Sequence, residues 1–111
     1  MPATQITQLV LASRAALSFS TSGTNAIIAA VAGKQVKVLQ LFLMAGGNVD
    51  MTFQDTNGTA LSGAVTMGIA GNGFVWPYTT LPWLLTAAGK GLQINLSSSV
   101  QMSGLIIYLQ E

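Results

Sequence analysis

The sequence predicts an all-β fold: a jelly-roll-like β-sandwich of two antiparallel sheets, built from about eight short strands. Two observations carry that expectation. Apolar residues recur with a period of two. Val49, Met51 and Phe53 alternate with Asp50, Thr52 and Gln54; Leu92, Ile94 and Leu96 with Gln93, Asn95 and Ser97; Val100 and Met102 with Gln101 and Ser103. Successive side chains of a strand point to opposite faces, so this alternation lays one face on a core and turns the other to solvent. Turn-forming residues then cut the chain at short intervals, which suits a sandwich or jelly roll rather than a helical protein.

Residues 1–13 read as an N-terminal arm or a first strand, and residues 14–111 as a single β-sandwich domain, because no linker, charge run or low-complexity block divides them. Ser20-Thr21-Ser22-Gly23 closes the second strand. Residues 24–38 include Ala26, Ile27, Ile28, Ala29, Ala30 and Val31, a run able to nucleate a helix. Gly33 interrupts it, and the β-branched Val36 and Val38 favour strand–turn–strand. Residues 39–44 and 105–109 are apolar on both faces, which makes them central strands or strands whose outer face a partner covers. Gly46-Gly47-Asn48 leads into the Val49 strand and Asn57-Gly58 is a hairpin signal after it. Gly71-Asn72-Gly73 precedes an aromatic strand, and Gly89-Lys90-Gly91 precedes the Leu92 strand. Ala32-Gly33-Lys34 and Ala88-Gly89-Lys90 each end an apolar stretch and open a longer strand. They mark equivalent corners of two packed sheets, or the reuse of a good turn. The expected core comprises Phe42, Met51, Phe53, Leu92, Ile94, Leu96, Met102 and Ile106.

The side-chain chemistry narrows the function classes. The 111 residues form one domain and contain no histidine, no cysteine, four cations (Arg14, Lys34, Lys37, Lys90) and three carboxylates (Asp50, Asp55, Glu111). Half the residues are apolar and 6% are charged, about a quarter of the usual charged share. General acid–base catalysis most often uses His, and metal sites favour His, Cys or clustered carboxylates. No catalytic, cofactor-binding or metal site is therefore expected, and the chain reads as a structural or binding module, not an enzyme. Asp50 and Asp55 are five residues apart in a strand and face opposite ways, so they do not form a glycosidase pair; they read as solvated strand-edge or turn acids. There is no Gly-x-Ser-x-Gly elbow or Ser-x-x-Lys motif, and Gly71-Asn72-Gly73 opens no helix, so it is no phosphate loop.

Four scattered cations make no basic patch, which argues against direct nucleic-acid binding. The N-terminus has no basic segment followed by an apolar stretch, so no secretory signal is expected. The most apolar segment, residues 36–44, falls well short of the ~20 residues that span a bilayer. A protein made in the cytoplasm, and soluble or assembled there without a membrane, is the expectation. A formal net charge of +1 gives little mutual repulsion and favours homo-oligomers.

Two segments are candidate interfaces. Trp76, Tyr78 and Trp83 lie within eight residues, joined by Pro77 and Pro82, which stiffen the stretch and keep it out of a central strand. The rings cap one end of the core, anchor a protein interface, or make a sugar-stacking platform. Ile6, Leu9, Val10 and Leu11 stand among Thr and Gln, with no charge before Arg14. They form an extended arm that pairs with a neighbouring subunit's sheet edge, or an ordinary first strand.

The order of features from about residue 26 to 110 resembles a known group. An Ala-Gly-Lys turn leads into Val36-Lys37-Val38-Leu39-Gln40-Leu41-Phe42-Leu43-Met44-Ala45, followed by Val49-Asp50-Met51-Thr52-Phe53-Gln54 and Leu61-Ser62-Gly63-Ala64. A Gly-rich turn enters Val75-Trp76-Pro77-Tyr78, then Trp83 through Ala88-Gly89-Lys90-Gly91-Leu92, and the chain closes with Val100-Gln101-Met102-Ser103-Gly104 and Tyr108. This resembles the small β-rich capsid decoration (cement or staple) proteins of tailed bacteriophages. The resemblance implies a virion structural protein, made in the host cytoplasm, that binds the outer capsid surface, bridges subunits of the major capsid protein and stabilises the shell. It carries over no catalytic residue. The alternative is a glycan-binding β-sandwich module of a phage tail or fibre, using the loop from Trp76 to Trp83.

Deleting residues 1–12 distinguishes the two readings of the N-terminal segment. An intermolecular arm leaves the thermal melting temperature unchanged while oligomer or shell binding is lost; a core strand leaves the truncated chain unfolded by circular dichroism.

Overall fold

Every regular element of the computed structural model, which describes residues 12–111, is a β-strand. In chain order these are β1 (Ser13–Phe19), β2 (Gly23–Ile28), β3 (Val36–Ala45), β4 (Val49–Asp55), β5 (Val65–Met67), β6 (Gly73–Trp76), β7 (Leu84–Leu85), β8 (Leu92–Leu96) and β9 (Met102–Gln110). They form two sheets with antiparallel pairing throughout. One has five strands in the order β1-β9-β3-β6, with β7 also on β3; the other has four, β2-β8-β4-β5. β6 pairs with Leu41, Phe42, Leu43 and Met44, while β7 pairs with Lys37 and Val38. Both lie along the same side of β3, so they are two pieces of one edge strand, interrupted where Pro77 and Pro82 remove backbone donors. Counting them as one position leaves the eight positions of a jelly roll, in which the chain crosses between sheets at nearly every connection. The sequence expectation of an all-β jelly-roll-like sandwich holds.

The core lies between the sheets. Met51, Phe53, Leu92, Ile94, Leu96, Met102 and Ile106 are all buried there, as the alternation implies. Phe42 is the exception. It is 43% exposed on the outer face of the five-stranded sheet. The reason is a bulge: Val38 pairs with Tyr108 and Gln40 with Ile107, leaving Leu39 as an extra residue in β3. Before it, Val36 and Val38 face the core; after it, Leu41, Leu43 and Ala45 do. One inserted residue reverses the facing of everything downstream, and Phe42 turns outward with Met44.

The two Ala-Gly-Lys turns meet. Lys34 N–H donates to Val31 O (3.0 Å) and Lys90 N–H to Ala87 O (3.1 Å), with Gly33 and Gly89 at φ of 74° and 79°. A positive φ at the third residue of such a turn is what glycine supplies. Gly89 N–H then donates to Lys34 O (2.8 Å), joining the turn that enters β3 to the one that enters β8. The repeat reads best from sequence as the reuse of a good turn, and the structure brings both copies of that turn together at one corner. Thr86 locks the same corner: its Oγ1 accepts from Val36 N–H (2.8 Å) and donates to Lys90 O (3.0 Å), and the residue is buried with its hydroxyl satisfied.

Asp50 and Asp55 do face opposite sides of β4. Asp50 is exposed, as expected, but Asp55 is 4% exposed rather than solvated. Its Oδ1 accepts from Asn57 N–H (2.8 Å) and Thr59 N–H (3.1 Å), closing the Asn57-Gly58 turn. The local backbone supplies the hydrogen bonds that water would otherwise provide.

The bulge turns Phe42 outward while Phe53, on the other sheet, stays in the core. Phe53→Ala opens a cavity in the core and is expected to cost about 3–5 kcal/mol, whereas Phe42→Ser is expected to stay within about 0.5 kcal/mol. Chemical denaturation of the two variants measures both.

Candidate interaction surface

The outer faces of the two sheets differ in chemistry. On the four-stranded sheet, the side chains that alternate with the core are Thr24, Ala26, Gln93, Asn95, Gln54, Thr52, Asp50 and Thr66, paired across β2, β8, β4 and β5. Gln93 Nε2 donates to Gln54 Oε1 (2.9 Å) on directly opposed positions. This face is polar apart from Ala26 and is hydrogen-bonded within itself.

On the five-stranded sheet the register aligns Ala16 with Leu105, Leu105 with Phe42, and Phe42 with Val75. A single cross-strand row of four apolar side chains thus runs over β1, β9, β3 and β6. Met44 stands beside it at 47% exposed, and Val75 is 69% exposed. Two hollows flank the row. One, about 370 Å³, is lined by Phe42, Met44, Gly71, Gly73, Phe74 and Val75. The other, about 350 Å³, is lined by Ala12, Ser13, Arg14, Gln40, Tyr78 and Ile107. Arg14 is the one charged residue lining either hollow. The face is thus contiguous, apolar and nearly uncharged.

Close backbone packing supports the row. Gly104 sits opposite Leu43 and one residue from Leu105, and a Cβ there would run into the carbonyl oxygen of Phe42. Only glycine lets β9 approach β3 so closely under the apolar row.

The aromatic residues singled out in the sequence divide in role. Trp76 is half-buried and faces the core, 5.1 Å from the Phe53 ring and 5.4 Å from Phe74. Trp83 stacks on Trp76 at 5.3 Å with 19° between planes, and its indole N–H donates to Pro77 O (2.8 Å). The four rings form a continuous series from the buried centre to a Trp83 that is 44% exposed. Tyr78 instead lines the hollow beside Arg14. The structure therefore brings Trp76 and Trp83 together and sets Tyr78 toward the outer face. Ile6, Leu9, Val10 and Leu11 lie outside the described residues. Phe42, Met44, Val75, Leu105 and Ile107 were not singled out as interface residues; the signal for all but Val75, which lies outside them, was the two runs that are apolar on both faces.

Searches of protein-family models, curated proteins and solved structures give no match to this chain.

Because the chain has two tryptophans, Trp83→Ala leaves Trp76 as the single indole reporter. Losing the stacked partner is expected to cost about 0.5–1.5 kcal/mol beyond the loss of buried area and to raise acrylamide quenching of the remaining fluorescence. Unchanged quenching would show that Trp83 does not shield Trp76.

Proposed function

We propose that this protein is a structural binding module, a capsid decoration protein of tailed-bacteriophage type, which lays the outer face of its five-stranded sheet on the outer surface of the major capsid protein. The observation that carries this reading is the apolar row from Ala16 through Leu105 and Phe42 to Val75, set on a sandwich whose opposite face is polar. Such a division suits one-sided attachment: the apolar side is covered by the shell while the Gln and Asn face meets water. A low-charge surface suits a partner bound through apolar contact and main-chain hydrogen bonds, because that attachment depends little on ion pairs and resists changes in salt. The +1 net charge supports homo-oligomeric arrays on a shell in which like copies sit side by side.

The glycan-binding reading draws on the exposed face of Trp83. It has less support, because one face of that ring is already taken by Trp76 and its indole donor is engaged with Pro77. A sugar platform needs an open ring face together with converging polar groups.

Co-sedimentation with undecorated shells tests the proposal. The expected result is a fixed, saturable ratio of protein to capsid subunit that persists in high salt, with decorated shells surviving higher temperature than bare ones. Phe42→Lys is expected to keep the wild-type melting temperature and lose shell binding. Tryptophan quenching by oligosaccharides, with no capsid stoichiometry, would favour the glycan module.

A further inference from the structure

Among the described residues the two sheets end in four open edges, and three of them are blunted. The β6–β7 edge is interrupted between its two pieces and contains Pro77 and Pro82. β5 is three residues long. β2 has a register shift between Ala26 and Ile28, and carries the buried Asn25, whose side-chain amide turns back to Thr21 O (2.8 Å). These are the devices by which proteins keep sheet edges from recruiting further strands: breaks, shortness, bulges and inward polar groups. The fourth edge, β1, has none of them. Its seven residues run in unbroken register against β9, from Ser13 opposite Tyr108 to Phe19 opposite Met102. It contains no proline or glycine, and its one charge, Arg14, lies next to its start.

We propose that two copies of the chain pair through this edge, β1 against β1, antiparallel about a two-fold axis at Ala16. The strand is self-complementary in that register. Ala16 meets its own copy at the axis, where small exposed side chains allow close approach. Arg14 falls opposite the partner's Ser18, so no like charges are opposed, and on the core side Ala15 falls opposite the partner's Leu17. The N–H and C=O groups on the side of β1 away from β9, which no other described strand pairs, gain partners. The two five-stranded sheets then become one ten-stranded sheet, and the two apolar rows, each beginning at Ala16, meet end to end across the axis. The inference stands on the edge strand alone and requires no second protein.

The absence of cysteine makes the register directly readable. Opposed residues at the axis of an antiparallel pair have Cα atoms about 4.5–5.5 Å apart, within the roughly 4.4–6.8 Å a disulfide spans. Ala16→Cys is therefore expected to give a covalent dimer on mild oxidation. Ser18→Cys places its two copies four residues out of register, about 13 Å apart, and is expected to stay unlinked. Sedimentation of the full-length wild-type chain is expected to show a dimer, and Ala16→Lys, which opposes two ammonium groups at the axis, to weaken it at least about tenfold with an unchanged circular dichroism spectrum. A wild-type chain that stays monomeric at high concentration overturns the proposal. A dimer that links through Phe42→Cys or Ser18→Cys in preference to Ala16→Cys overturns it too. Should Ala16→Lys fail to fold, the cysteine pair decides the matter. Because these experiments contain no capsid, their failure is separable from failure of the decoration reading.

Discussion

The extra residue at position 39 governs more of this molecule than any single contact. Strand side chains alternate strictly, so the facing of a whole strand is fixed by whichever residue first commits to the core. β3 commits twice: Val36 and Val38 on one side of the bulge, Leu41, Leu43 and Ala45 on the other. Both halves remain in register with the central strand β9. Both are needed to fill the space between sheets. The outward placement of Phe42 and Met44 follows from that arrangement, and the apolar surface is thus a by-product of core packing that the neighbouring strands β9, β1 and β6 extend with Leu105, Ala16 and Val75.

The two ends of the sandwich are held by different means. At one corner the paired Ala-Gly-Lys turns and the buried Thr86 tie the entrances of β3 and β8 together with backbone hydrogen bonds. Along the β6 edge the work is done by rings: Phe74 and Trp76 reach across from the five-stranded sheet to Phe53 of the four-stranded one, and Trp83 covers the outermost of them. Neither device uses a charge. The one ion pair among the described residues, Lys37 with Glu111 (2.8 Å), is solvent-accessible and of a kind that contributes little to stability.

The architecture was legible in the sequence because period-two alternation and glycine turns are local signals, and seven of the eight expected core residues lie where alternation put them. Phe42 was not legible. A bulge is a property of the pairing between β3 and β9, and nothing in residues 38–40 alone announces it. Asp55 was read correctly as a turn acid but not as a buried one, since its burial depends on the Asn57-Gly58 turn folding back over it. For the surface, the runs at 39–44 and 105–109 did announce strands apolar on both sides, and these proved to be the central strands β3 and β9. What they could not announce was which outer residues line up, because that row exists only once four strands distant in sequence are placed in register.

Two of the interior strands, β8 and β9, follow all the other described strands in chain order. β8 lies between β2 and β4, and β9 lies between β1 and β3, so these four strands each wait for a neighbour made after them, while β5, β6 and β7 pair with strands already made. Until then β3, apolar on both sides, is paired only along the edge that β6 and β7 occupy. Pairings this remote in sequence close slowly, and a nascent chain in that state exposes surface prone to misassembly. The order of synthesis therefore leaves both sheets in separate pieces until residues 92–110 join them, and it concentrates the vulnerable interval before that step.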